Sequence, residues 1–257
     1  MPNWVFNGLT VEGNPEQVNK LVEQMNKPYA MIHDNWNMET QQMEVKQVTY
    51  PNPVFAFHNI YNHRQEGISD LEYVKQPARS DLDVNDPNWW EDVQAKAQTS
   101  NSWYDWNCRN WGTKWDVSVQ EDNNYPDTYI EGPTENGENL VVYYNFHTAW
   151  SPPFPAMAKL SEQYPSLLFT LSYEEETGWG GEAEFLRGEM ISDADYESKC
   201  RDCDATDTMV YCENDCGEIC ENCNWLGEAD LDLVAECDTH KVYLDEEHVP
   251  DYRRVEA

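Results

Sequence analysis

The sequence predicts an α+β fold in which two helices cover one face of an antiparallel sheet. Three observations predict it. Short runs of β-branched and aromatic residues alternate with polar ones. Two stretches of helical periodicity each open on a proline. The order along the chain is strand, helix, a long irregular stretch, two strands, helix and two strands.

Each element has its own warrant. NWVFNGLTVEG (3–13) alternates and reads as a strand. Asn14-Pro15-Glu16 then supplies an N-cap and a first-turn proline, and Val18, Leu21, Val22 and Met25 follow at helical spacing until Pro28. Residues 28–102 are irregular, rich in Asn, Gln, Pro and aromatics, with short helices predicted at 66–75 and 88–98, and read as an insertion. DVSVQE (116–121) is the next predicted strand, after which DNNYPDTYIEGPTENGEN reads as turns. LVVYYNFHTAW (140–150) is a strand, SPPFPAMAKLSEQYP a helix ended by Pro165, and LLFTLSYEEE (167–176) and GEAEFLRGEM (181–190) are strands flanking the turn TGWGG. This order is the ferredoxin-like split β-α-β pattern with one extra strand. The predicted organisation is a ferredoxin-like domain over 1–190, its insertion spanning about 28–115, followed by an acidic cysteine-rich module over 191–257.

Within the first domain, WYDWNCRNWGTKWD (103–116) holds four tryptophans in fourteen positions. The economical reading makes Trp103, Trp106, Trp111 and Trp115, with Trp4 and Trp150, core residues. Gly112 would allow a tight turn before strand 116–121, Asp105, Arg109, Lys114 and Asp116 would pair locally, and Cys108 would be a buried thiol. An aromatic platform for a base or peptide is the competing reading, disfavoured for a base by the surrounding negative charge. The opening MPNW, this run, and TAWSPP through GWGGE resemble the YubB ferredoxin-like family of phage and plasmid proteins over about residues 1–190. The resemblance implies a mobile-element origin and a ferredoxin-like fold without an iron–sulfur cluster. It implies no particular activity, and it leaves the tail unaccounted for.

Charge excludes one class of partner. The chain carries 49 acidic and 16 basic residues, net −33, and residues 191–257 alone hold 20 acids and 5 bases, net −15. Direct DNA or RNA binding needs a positive surface, so none is expected. A solvated surface, an acidic face that docks on a basic host or phage protein, and mimicry of nucleic-acid charge all fit. No stretch approaches the length of a membrane helix. The N-terminus has no basic segment followed by an apolar one, so a reducing cytosol is the expected compartment.

The tail reads CRDCDATDTMVYCENDCGEICENCNW, with CDTH further on, and holds seven of the eight cysteines. The pairs are Cys200-x2-Cys203, Cys212-x3-Cys216, Cys220-x2-Cys223 and Cys237-x2-His240. Four pairs supply the eight ligands that two tetrahedral structural zinc ions need. A disulfide knot fits a cytosolic chain poorly, and the spacings are not those of iron–sulfur clusters. The order suggests a cross-brace, pairs one and three on one ion and pairs two and four on the other. YCENDCGEICENC is similar to ZZ-type zinc fingers, and that resemblance implies Cys200, Cys203, Cys220 and Cys223 on one ion. It implies Cys212, Cys216 and His240 on the other, with Cys237 or His248 as fourth ligand.

Catalytic motifs for nucleotide binding, acyl transfer or zinc proteolysis are absent from the sequence. His58-x4-His63 with Glu66 is the other candidate metal cluster, against ordinary loop histidines. The favoured expectation is a zinc-binding interaction protein of a phage or plasmid, in counter-defence or nucleic-acid mimicry. The alternative is an enzyme whose site lies in the 28–102 insertion.

Overall fold

The computed structural model describes residues 3–75, 82–83, 85–117, 128–200, 203–207, 209–211, 218–220 and 222. The chain divides into two compact units, Met1–Glu176 with Glu182–Asp193, and Thr177–Gly181 with Ala194–Ala257.

The first unit is built on a six-stranded sheet in the order β4-β5-β1-β6-β7-β8. Strand β1 (Trp4–Gly13) lies at its centre. It pairs antiparallel with β5 (Asn139–Ala149) on one side and β6 (Leu168–Glu175) on the other, so that Leu9 faces both Tyr144 and Leu171. Alternation buries Val5, Leu9 and Val11 of β1, Val142, Tyr144 and Phe146 of β5, and Phe169 and Leu171 of β6 on one face. Helix α1 (Pro15–Met25) adds Val18, Leu21 and Met25 to this core. Its start is fixed as expected, with Asn14 Oδ1 accepting from the Glu16 amide at 3.0 Å. Helix α6 (Phe154–Gln163) adds Ala156, Met157 and Leu160. The fold is thus α+β, with α1 and α6 placed between strands as the ferredoxin-like pattern requires.

Four expectations need correction. The hairpin partner of β5 is β4 (Tyr129–Asn136), not 116–121. Residues 116–117 are not strand, and 118–121 lie outside the described residues. Gly132-Pro133 disguised β4 as a turn; it is an edge strand with its register shifted between Glu131 and Thr134, where a proline does not interrupt a central ladder. Secondly, 181–190 is two strands, β7 (Gly180–Leu186) and β8 (Glu189–Tyr196). Arg187 and Gly188 between them both have positive φ, 55° and 86°, the geometry of a two-residue hairpin turn.

The third correction concerns the insertion, which is largely regular. It contains a hairpin, β2 (Tyr29–Asn37) with β3 (Gln42–Tyr50), then helices α2 (Phe57–Ile60), α3 (Asp70–Tyr73) and α4 (Trp89–Thr99). It also completes the core, since the Phe55 ring stacks on Phe146 at 4.8 Å and Phe57 packs edge-on to Phe146 at 5.9 Å. Lastly, the tryptophan run opens as a helix, α5 (Trp103–Asn110), whose N-cap Ser102 accepts from the Asp105 amide. Trp106 and Trp111 are fully buried, Trp4, Trp103 and Trp115 are half-buried, and Trp150 is 43 % exposed. Gly112, at φ +82°, does make the tight turn. The charged residues of the run act separately. Arg109 donates to the Ala97 and Ser100 carbonyls, and Asp116 accepts from the Phe57 and His58 amides at 2.8 and 2.9 Å, pinning the insertion.

Candidate metal centre

In the second unit a tight turn presents the first cysteine pair. The Cys200 carbonyl accepts from the Asp204 amide at 3.0 Å, and the Cys200 amide donates to the Ala205 carbonyl at 2.9 Å. A bridge between Lys199 and Thr206 closes the loop, and Asp204 and Asp207 take positive φ of 56° and 54°. Asp207 Oδ1 accepts from the Glu197 amide at 2.8 Å, tying the two sides together. Strands β9 (Met209–Tyr211) and β10 (Glu218–Cys220) form a short antiparallel hairpin in which Cys220 lies opposite Met209.

These two pieces bring three sulfurs together. The Sγ atoms of Cys200, Cys203 and Cys220 all lie within 4.8 Å of one another, with Cys200 and Cys220 buried and Cys203 half-buried. The Cys203 and Cys220 sulfurs are 3.7 Å apart, far beyond the roughly 2.05 Å of a disulfide. Asn222 Nδ2 donates to Cys203 Sγ at 3.3 Å. Three sulfurs this close can bind a metal ion, and among the described residues they are the group of metal-ligand side chains that can. They come from the first and third pairs. Cys223, which would complete this set, lies outside the described residues, as do Cys212, Cys216, Cys237, His240 and His248.

His58, His63 and Glu66 do not form a second centre. The His58 ring is sandwiched face to face against Tyr29 at 4.2 Å, and Tyr29 in turn against Tyr50 at 4.5 Å. His63 stacks on Tyr73 at 3.9 Å and its Nε2 bonds Asp70 Oδ1 at 2.8 Å. Arg64 grips the same carboxylate through Nε and Nη2 at 2.7 and 2.8 Å. Glu66 is exposed. Burial pushes His58 down to about 3, assisted by the Arg64 and His63 charges, and burial also lowers His63. The Arg64 hydrogen bonds hold Asp70 down at about 2. Both histidines are thus neutral packing residues of the insertion at pH 7, with their Nδ1 atoms buried and lacking hydrogen-bond partners. Sequence reasoning missed these two stacks, Tyr50-Tyr29-His58 and His63-Tyr73, because their rings come from residues with no shared period.

Residues 114–213 match the family model of the ferredoxin-like domain in Api92-like proteins. The matched segment holds β4, β5, α6, β6, β7 and β8, while β1 and α1 lie outside it. Its bounds differ from the expected resemblance over 1–190: it begins at Lys114 and runs on through the first cysteine pair to Glu213. A solved structure, that of Api92 from Yersinia pseudotuberculosis, is similar over 78 % of this chain and 100 % of its own, at 11 % identity and a TM-score of 0.38. No curated protein matches. Among the described residues no helix is long and apolar enough to cross a membrane.

Proposed function

We propose that this chain is a zinc-stabilised interaction protein that docks on a basic partner protein through its acidic C-terminal module. The observation that carries the zinc reading is the sulfur cluster. Zinc–sulfur bonds of about 2.3 Å in a tetrahedron put neighbouring sulfurs about 3.8 Å apart. The 3.7 Å between Cys203 and Cys220 fits such an edge. Cys223 is the fourth ligand on this reading, and Cys212, Cys216, Cys237 and His240 hold a second ion. With closed coordination the metals are structural, supplying the folding energy that a module this small lacks.

Charge supports the docking half. A module of net −15 speeds its encounter with a positive surface and repels nucleic acid. The biological setting we propose is the host cytosol, with the chain encoded by a phage or plasmid and directed at a host or phage protein in counter-defence. Metal analysis of protein purified without chelator is expected to give two zinc ions per chain; a ratio near zero with oxidised thiols overturns the zinc reading. Affinity capture from a bacterial lysate at two salt concentrations, followed by mass spectrometry, tests docking. The captured partner is expected to be basic and to be released by salt. Retention indifferent to salt, and to neutralising the tail's acids outside the ligand pairs, overturns it.

A further inference from the structure

The ammonium of Lys114 sits inside a cluster of aromatic rings. Its Nζ lies 4.3 Å from the centre of the Trp115 ring, 4.7 Å from that of Trp150 and 5.9 Å from that of Tyr104. Tyr104 meets Trp150 at 6.0 Å and 69°, and Trp4 backs Trp115 at 6.1 Å. Each ring presents its negative face to a cation, and three acting on one charge make a site selective for positive groups. Among the described residues no carboxylate forms an ion pair with Lys114.

The cage is built by interlocking two short segments. Thr113 Oγ1 donates to the Ala149 carbonyl at 3.0 Å and accepts from the Ala149 amide at 3.1 Å. The Ser151 hydroxyl donates to the Gly112 carbonyl, and the Trp150 amide donates to the Asn3 carbonyl at 2.9 Å. Within this frame Trp150 adopts φ +75°, a left-handed conformation that is costly for a bulky aromatic. Burial does not offset that cost, because Trp150 is 43 % exposed. The strained backbone instead holds a half-exposed indole against a cation, 4.7 Å from the Lys114 ammonium.

The surroundings match a cationic ligand. Alternation along β1 puts Trp4, Phe6 and Glu12 on the face of the sheet opposite the helices. The strand register adds Tyr143, Glu131 and Glu174 to that face. Phe6 is 42 % exposed. Aromatic and acidic side chains thus lead away from the cage across the sheet.

We infer that the cage is a docking site for a basic segment of a partner protein, where an arginine or lysine side chain of the partner displaces Lys114 from between Trp115 and Trp150. Lys114 is then a built-in occupant that keeps the rings apart until the partner arrives. The inference rests on the reading that the partner is basic, and it names the contact the first unit would make.

The test uses the full chain and a short oligoarginine peptide, with binding followed by tryptophan fluorescence and calorimetry. Lys114→Ala removes the competitor and is expected to bind about tenfold tighter than the parent chain. Trp150→Gly suits the positive φ, so it is expected to keep or raise the thermal midpoint while weakening binding about tenfold or more. A third variant, neutralised at the tail's acids, separates the two readings. Equal affinity in all but that variant overturns the cage and leaves tail docking standing. A loss confined to Trp150→Gly supports the cage and counts against the tail. Unfolding of Trp150→Gly makes the ring a fold element and overturns the cage, as does peptide binding in none of the chains.

Discussion

The two units of this chain are held together by different means. In the first, the largest side chains are fully buried, among them Trp106, Trp111, Tyr144, Phe55, Phe57 and Phe146, and they touch across sheet, helices and insertion. In the second, the buried side chains among the described residues are Cys200 and Cys220. The first unit thus draws its stability chiefly from buried apolar volume. A unit whose buried side chains are sulfur offers ligand atoms where the first offers apolar volume. On the proposed zinc reading, the second fold is maintained by ligation and the first by burial, so one can be lost without the other.

The sharpest test of that separation is metal removal. Structural zinc contributes on the order of 10 kcal/mol to small modules. Chelation, or Cys220→Ser, is expected to unfold the second unit, seen as proteolytic cleavage beyond residue 193, while the tryptophan fluorescence melt of the first unit stays in place. A melt that shifts with the metal would mean that the units share their stability. In the opposite direction, Trp111→Ala opens a cavity against Phe57 and Trp106 and strips the indole donor from the Tyr61 carbonyl. It is expected to cost about 3–5 kcal/mol in denaturant unfolding of the first unit, with zinc content unchanged. Trp115→Ala, at a half-buried position, should cost clearly less.

Smaller effects probe how the insertion and the turns join the sheet. A Cβ on Gly112 would lie 2.6 Å from Pro155 Cδ and 3.2 Å from the Pro152 carbonyl, at φ +82°. Gly112→Ala is therefore expected to destabilise the first unit by about 1–3 kcal/mol, measured in the same denaturant titration. Acid should weaken it too. His58 falls from its ordinary 6.5 to about 3 on folding, so the unfolded chain takes up a proton there that the native chain refuses. Its contribution is complete above about pH 6.5 and is lost progressively toward pH 3. The groups that act on it are Arg64, His63 and Asp70, and the Asp70 contribution is lost at still lower pH, below 3.8. His58→Phe keeps a ring against Tyr29 and removes the titration. Its thermal midpoint should fall less between pH 7 and pH 4 than the parent's, and parallel curves would place the acid sensitivity elsewhere.

Much of the frame was legible in the sequence because local signals agreed with the tertiary outcome. β1, α1, β5, α6 and β6 each combined a clear period with a cap or breaker, and their order implied the sheet. β4 failed because Gly132-Pro133 carries a turn signal that an edge strand tolerates. The hairpin of β2 and β3 failed because its residues are largely polar and lack clean alternation. Helix α5 was hidden by tryptophan and asparagine, which are poor helix formers, although Ser102-x-x-Asp105 is a start signal that could have revealed it. At the candidate metal centre the alternating order of the cysteine pairs was enough to associate the first pair with Cys220, 17 residues beyond Cys203. The cage around Lys114 was not legible, because its rings come from residues 4, 104, 115 and 150, which no period links.

One feature of the sheet governs how the chain reaches this structure during synthesis. Its central strand is made first, yet the partners of Leu9 are Tyr144 and Leu171. At about 5–20 residues per second, a ribosome takes on the order of ten seconds to supply them. Throughout that interval β1 has neither of its neighbours, and Val5, Leu9 and Val11 have no core to enter. Folding of the first unit is therefore expected to be late and largely all at once. A nascent chain arrested before residue 140 should be open to protease along β1, and one released after residue 193 should be closed.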